Sequence, residues 1–273
     1  MKHTEASGEC GKNIGKTAIA FSRKRPNMHL KTVTIHPEKY PIRDRYPYNL
    51  PIFHHAQSLS CNTPVTMFVG ENGTGKSTLL EAICRTCGIH IWRDTDKRRF
   101  QYNPYEETFY HCLSIEWTAD CVPGAFFGSD IFRYFAQLLD EWAKNDPGQL
   151  DYFGGKSLMT QSHGQSLMSF FKSLYQRKGV YFLDEPETAL SPRSQLELLE
   201  LLTETGRTGL AQFIIVTHSP LLLACPDAVI YSFDEERIKP AAYEETTHYK
   251  LYKNFLEDRN KYLFPGQRKK IKL

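Results

Sequence analysis

Residues 70–77 read Gly70-Glu71-Asn72-Gly73-Thr74-Gly75-Lys76-Ser77. This is a full match to G-x-x-x-x-G-K-[ST]. The preceding five residues, 65–69 (VTMFV), form a short apolar run that predicts a buried strand. After the motif, Leu79, Leu80, Ile83 and Cys87 recur at helical spacing, which predicts a helix over 77–87. Strand, glycine-rich loop and helix together are the context that gives the motif meaning. Glycines let successive backbone N–H groups curl around phosphate oxygens. The helix N-terminus adds its dipole. The pattern assigns Lys76 to the β- and γ-phosphates of a nucleoside triphosphate and the Ser77 hydroxyl to Mg²⁺. Gly70, Glu71, Asn72, Gly73, Thr74, Gly75, Lys76, Ser77 and Thr78 are the candidate binding residues. A chance glycine-rich turn would explain neither flank. A similar ending at residues 11–17 (GKNIGKT) has Cys10 where the first glycine belongs and no strand before it, so it reads as leader.

The second acidic element is Val180-Tyr181-Phe182-Leu183-Asp184-Glu185-Pro186. Four apolar residues predict a strand buried on both faces, which delivers two acids to the carboxyl edge of a parallel sheet. Asp184 there supports Mg²⁺, mainly through water. Glu185 is placed to orient and deprotonate an attacking water. The plainer reading is a strand stopped by a charged turn. The phosphate loop upstream favours the catalytic one.

Outward from these motifs, residues 29–36 predict a first strand and 40–51, with three prolines, a loop or edge. Residues 109–117 predict a strand and 120–128 a Pro/Gly-rich loop. Helical spacing covers 130–144, with Asp130 as N-cap, and 165–175. Residues 146–155 read as loop. Ser191-Pro192 opens a helix to about 205, with proline in its first turn. Residues 213–216 predict another buried strand, 229–233 a strand and 249–258 a helix. Strands alternating with helices argue a mostly parallel α/β sheet. Residues 1–27 read as a flexible leader, and 28–273 as a single domain with an inserted lid at about 90–160 and a C-terminal extension over 228–273.

Composition is consistent with this. The chain has 273 residues, 41% hydrophobic and 24% charged, which excludes a disordered chain or a small disulfide scaffold. Lys+Arg 34 against Asp+Glu 31 leaves +3, too balanced to signal nucleic-acid binding by itself. Seven cysteines, an odd number, fit a reducing compartment, and no apolar run approaches the ~20 residues of a membrane helix. A cytoplasmic location is expected.

Three further segments carry a resemblance. Gln161-Ser162-His163-Gly164-Gln165 resembles the L-S-G-G-Q signature of ABC-type ATPases, and its Gln165 lies 19 residues before Asp184. Thr188-Ala189-Leu190-Ser191 resembles the loop that follows their acidic strand. Val216-Thr217-His218-Ser219-Pro220 resembles the strand end that carries their switch histidine. The wording looks most like small soluble bacterial AAA/ABC-type ATPases, kin to the SMC and RecF repair ATPases and to antiphage-defence ATPases.

The resemblance implies a P-loop NTPase with a RecA-like ABC core. It further implies ATP and Mg²⁺ as cofactors and an ATP-dependent head-to-tail dimer. In that dimer Ser162, Gly164 and Gln165 face the nucleotide of the other subunit, and His218 senses the γ-phosphate in cis. Glu185, His218 and Lys76 are then the catalytic set. Ser77 and Asp184 hold the metal, with Gln101 as the candidate Q-loop glutamine. His163 and Gln161 depart from the family's glycine and leucine. Tyr46 or Tyr48 would stack on adenine, unless either packs in the core. Two rival roles stand beside hydrolysis-driven cycling: the nucleotide-binding subunit of a transporter, and a slow nucleotide-gated switch that awaits a partner.

Only 86 residues separate Lys76 from Ser162. A coiled coil of hundreds of residues is therefore excluded, and a compact lid is expected. Cys84, Cys87 and His90 have spacing that suits either zinc or apolar packing. Residues 100–117, aromatic and preceded by Lys97-Arg98-Arg99, suit nucleic-acid stacking, a partner surface or lid core. A separate effector protein is the expected partner.

Overall fold

The computed structural model describes residues 28–91, 103–153, 155, 157, 159 and 163–263. In chain order the first elements are strands β1 (Leu30–Ile35), β2 (Gln57–Ser60) and β3 (Val65–Val69), then helix α1 (Lys76–Thr86). Next come β4 (Leu113–Trp117), β5 (Gly124–Gly128), α2 (Ser129–Asn145) and α3 (His163–Leu174). The chain continues with β6 (Gly179–Asp184), α4 (Pro192–Thr208), β7 (Ala211–Val216) and the single turn α5 (Pro220–Leu223). It closes with β8 (Val229–Ser232), β9 (Lys239–Ala241), α6 (Thr247–Glu257) and α7 (Asn260–Leu263). The expected leader over 1–27 and the motif-like stretch 11–17 within it lie outside the described residues.

The central sheet has the order β5-β6-β7-β3-β8-β9. All its pairs are parallel except β8 with β9. A parallel strand is covered on both faces, so successive residues feed opposite cores. Val180 and Phe182 of β6 join one cluster with Phe68, Ile214 and Phe233. Tyr181 and Leu183 join the other with Met67, Phe213 and Ile215. The first cluster is closed by α1 and by a small antiparallel sheet, β2-β1-β4. The second is closed by residues of α2, α3, α4 and α5, among them Phe132, Phe171, Leu198 and Leu222. Each such side chain contributes about 1.5–3 kcal/mol by leaving water.

One buried side chain ties the two sheets. Gln212, fully buried on β7, accepts from the Leu30 N–H at 2.8 Å. Its amide donates to the carbonyls of Leu30 and Cys61 at 2.9 and 2.5 Å.

The mostly parallel α/β sheet is as expected, and four local readings are corrected. Residues 120–128 are not all loop: Gly124–Gly128 pairs in parallel with β6. Glycine is what permits that pairing, because a Cβ on Gly124 would meet the Val180 carbonyl oxygen at 2.1 Å. Residues 109–112 form a 3-10 turn and only Leu113–Trp117 is strand, since Phe109 turns inward onto Phe53 and Tyr48. Helix α2 begins at Ser129 with Gly128 at its N-cap, so Asp130 is not the cap. The loop expected over 146–155 contains a 3-10 stretch, Pro147–Phe153. No helix among the described residues is long and apolar enough to cross a membrane.

Candidate functional site

Four parallel strands end side by side, and the candidate residues sit at those ends. β3 ends at Val69 and hands the chain to the glycine loop. β6 ends at Asp184, β7 leads into His218, and β8 leads into Asp234. Gly75 takes φ +98°, a backbone state that side-chain-bearing residues rarely adopt. A Cβ there would lie 2.9 Å from Phe53 Cζ. Helix α1 therefore starts at Lys76 with its first N–H groups facing the loop. Glu71, Asn72 and Gly73 are exposed. Thr74 Oγ1 donates to the Glu71 carbonyl at 2.9 Å.

Lys76 is 4% exposed, and its Nζ donates to the carbonyls of Gly70 and Glu71 at 2.8 and 2.7 Å. The ammonium is thus curled into the loop. Burial pulls its pKa down, opposed by Glu185, Asp184 and Asp234. Ser77 Oγ donates to Asp184 Oδ1 at 2.8 Å. Burial pushes the Asp184 carboxyl up to about 7, with Ser77 pulling the other way and Glu185 adding to the rise. Thr78 Oγ1 and Tyr46 Oη share a hydrogen bond at 2.7 Å.

Glu185 is held in the left-handed region at φ +46°. A non-glycine residue costs on the order of 1–3 kcal/mol there and stays only where its surroundings hold it. Here its N–H donates to Val216 O at 3.0 Å, and its carbonyl accepts from the Thr188 N–H and hydroxyl at 3.2 and 2.9 Å. Glu185 Oε1 lies 3.4 Å from His218 Nε2. The His218 N–H donates to Glu187 Oε1 at 2.6 Å, and His218 Nδ1 lies 2.9 Å from His248 Nε2. Burial and the nearby Lys76 depress the His218 pKa, against Glu185.

Of the sequence-predicted residues, Lys76, Ser77, Asp184, Glu185 and His218 come together. Gly164 lies elsewhere, beside Ser194 Oγ and Ala189 O at 3.7 and 3.8 Å from where its Cβ would be. Gln165 is exposed next to it. Ser162 and Gln101 lie outside the described residues, as does Gln161. Tyr48 is 1% exposed and packs among Tyr40, Tyr105 and Phe109, so it serves the core and not adenine. Among the described residues no group of three His, Cys, Asp or Glu could hold a metal. The buried Cys84 thiol packs in the first apolar cluster and donates a weak hydrogen bond to Ile89 O at 3.7 Å.

Sequence reasoning missed Asp234, Glu187 and His248. Asp234 accepts from the Glu71 N–H at 3.0 Å and the Thr247 hydroxyl at 3.1 Å. An acid just past a strand beside β3 was findable from the strand-end rule. His248 lies 30 positions from its partner on a different element, and no spacing rule reaches it.

A phosphate-binding loop at the carboxyl edge of a parallel sheet, facing an acidic strand end, defines a P-loop nucleotide-binding domain. Family models agree at both motifs. Residues 49–110 match an "AAA domain", and residues 160–224 match "AAA domain, putative AbiEii toxin, Type IV TA system". Both family models and the relatives below are of AAA/ABC-type ATPases, the proteins that this chain is similar to. It is 29% identical over 172 residues to the ferric enterobactin transport ATP-binding protein FepC of Escherichia coli, covering 56% of this chain and 62% of that one. It is 29% identical over 195 residues to the methionine import ATP-binding protein MetN 1 of Pseudomonas fluorescens, covering 62% and 55%. The chain thus spans less than two thirds of either relative. The SMC head domain from Thermotoga maritima is similar at 15% identity and TM-score 0.46, covering 79% of this chain and 100% of that one.

Proposed function

We propose that this chain binds and hydrolyses Mg-ATP. The convergence of Lys76, Ser77, Asp184, Glu185 and His218 from three separate segments carries the reading. The phosphate chain lies against the loop amides of residues 71–76 and the start of α1, and Lys76 turns from the Gly70 and Glu71 carbonyls to its oxygens. Ser77 and Asp184 offer a hydroxyl and a carboxylate 2.8 Å apart, hard oxygen donors that suit Mg²⁺. When bound, Mg²⁺ neutralises charge on the β- and γ-phosphates. Ser77 would hold it directly, and Asp184 mainly through water. Asp184 must then be ionised, which the cation itself favours. Glu185 accepts the proton of the attacking water and aligns it. His218 contacts the γ-phosphate beside it.

The site so built serves one face of the nucleotide. Gly164, Gln165 and Ser162 are proposed to complete the other face in a second copy, head to tail. The place of Gly164 beside Ala189 and Ser194, away from this chain's own loop, supports a role in trans. Gln101 is proposed as the remaining metal-side glutamine. Donors from both copies would gather on charge developing in the transition state, and phosphate release would part them. The work done by the cycle falls to a separate effector protein, in a defence or DNA-related process. The names of the relatives favour a second reading, a transporter's nucleotide-binding subunit.

Solution mass by light scattering of Glu185→Gln tests the first reading. A doubled mass in Mg-ATP and not in Mg-ADP is expected. A monomer that still binds ATP would overturn the autonomous homodimer and favour a subunit that needs its partner.

A further inference from the structure

The switch histidine has a neighbour that the reaction scheme above does not use. Helix α6 begins at Thr247, capped by the Thr246 hydroxyl, which accepts from the Tyr249 N–H at 3.3 Å. Its first turn brings His248 against His218, ring centroids 5.0 Å apart and planes at 52°. The nitrogens that meet are His218 Nδ1 and His248 Nε2, at 2.9 Å. The remaining nitrogens, His218 Nε2 and His248 Nδ1, are buried and make no hydrogen bond. The turn is anchored to the phosphate loop, because Thr247 Oγ1 and the Glu71 N–H both donate to the Asp234 carboxylate.

One hydrogen bond between two neutral imidazoles holds one proton. If His218 donated it from Nδ1, its Nε2 would present a bare lone pair to Glu185 Oε1, 3.4 Å away. Two lone pairs facing at that distance in a half-buried site repel. If His248 donates from Nε2, His218 carries its own proton on Nε2, facing Glu185 Oε1. Glu185 lies on one side and the γ-phosphate position on the other. The second arrangement replaces that repulsion with an N–H facing the Glu185 carboxylate. A neutral His218 is what burial and the neighbouring Lys76 favour.

We infer that His248 is a positioning residue that holds His218 in the Nε2–H tautomer, so that the switch histidine is a donor towards the γ-phosphate. The inference rests on the ATPase reading for its consequence, and on the His218–His248 geometry alone for the tautomer. His248 touches neither nucleotide nor metal. Its effect passes through the orientation and proton position of another ring, as outer partners of ligating histidines do elsewhere. The C-terminal helix thereby becomes part of the hydrolytic apparatus, and chain beyond β9 is required for full turnover.

The test reads tautomer and turnover separately. Imidazole ¹⁵N NMR of the nucleotide-free full chain, with His218 assigned by His218→Gln, reports which nitrogen bears the proton. The expected result is a protonated Nε2 and a bare Nδ1 on His218, turning to a mixture in His248→Ala. Steady-state kinetics should then show kcat down on the order of 10-fold in His248→Ala with KM for ATP little changed. His248→Gln, which keeps an N–H at nearly the same reach, should recover most of it. A proton on Nδ1 of His218 in the wild-type chain would overturn the inference, and that measurement needs no stable variant. So would an unchanged tautomer and kcat in a folded His248→Ala. A wild-type chain with the expected tautomer and no turnover under any condition would sink the ATPase reading and leave the tautomer assignment standing.

Discussion

Asp184 is the residue whose chemistry is most altered by its place. Burial raises it to about 7, well above an ordinary carboxylate. The folded chain therefore keeps a proton there, between about pH 4 and pH 7, that an unfolded chain has released. Stability from this group is fully present below that window and is lost as pH rises through it. Asp184→Asn should consequently raise the melting temperature of the nucleotide-free, metal-free chain at pH 8 and change it little at pH 4.5. A gain of ~1 kcal/mol corresponds to about 2–4 °C for a chain of this size. Equal shifts at both pH values would show that the buried charge is not the cause. Gly75 gives the complementary case. With φ +98° and Phe53 Cζ 2.9 Å from any added Cβ, Gly75→Ala should cost about 1–3 kcal/mol and weaken ATP binding together, as melting and titration would show. A variant as stable and as tight as wild type would contradict the close packing of loop on Phe53. At this scale the sequence was most legible where a residue's role is local. Lys76, Ser77 and Asp184 are specified by the run of residues around them. His248 and Glu187 owe their roles to chain that folds back from elsewhere, which no local pattern records.

Elements were readable where hydrophobic period and end signals agreed. β3 spans the predicted 65–69, and α4 begins at Pro192 with Ser191 as its cap, the Ser191 hydroxyl accepting from the Ser194 N–H at 3.2 Å. β5 was missed because glycines bound it at both ends, and glycine near proline reads as turn. Yet Gly124 is present because the backbone of β6 passes too close for a side chain. The small antiparallel sheet was half visible. β1 announced itself by alternation, whereas β2, four residues with one buried position, carries almost no signal. Its attachment to the central sheet is shared by Gln212, which grips Leu30 of β1, and by Tyr231 of β8, whose hydroxyl bonds the Ser60 N–H and carbonyl of β2. Gln212→Ala would leave the buried Leu30 N–H without the acceptor it has now, about 1–3 kcal/mol, while the Cys61 carbonyl keeps the Thr63 N–H at 2.8 Å. Amide hydrogen exchange should accelerate in β1 and β2 by well over 10-fold while β6 is affected less. Uniform acceleration across both sheets would mean that the amide bonds hold the whole fold and not this joint.

For the whole molecule the proposed cycle makes a prediction about concentration. A ligand that binds only the folded chain stabilises it by about 2.7 kcal/mol at one hundred times its Kd. Mg-ATP should therefore raise the melting temperature of Glu185→Gln. If ATP also joins two copies, that temperature should climb with protein concentration in ATP and stay flat in ADP. A flat dependence in both, with stabilisation intact, would leave a nucleotide-binding monomer. The mostly parallel α/β sheet was legible from the alternation of strands and helices, but the strand order β5-β6-β7-β3-β8-β9 was not. The role of the C-terminal segment was not legible either, because the apolar residues of α6, Leu251, Tyr252, Phe255 and Leu256, are exposed and do not mark the side that meets His218. One last consequence follows from the path of β7. At its start Gln212 grips the antiparallel sheet, and two residues past its end stands His218, beside Glu185. Six extended residues make a strut of roughly 20 Å between those points. Paired along its length with β6 on one side and β3 on the other, that strut cannot shift alone, so the distance from the small sheet to the histidine is set by the whole central sheet.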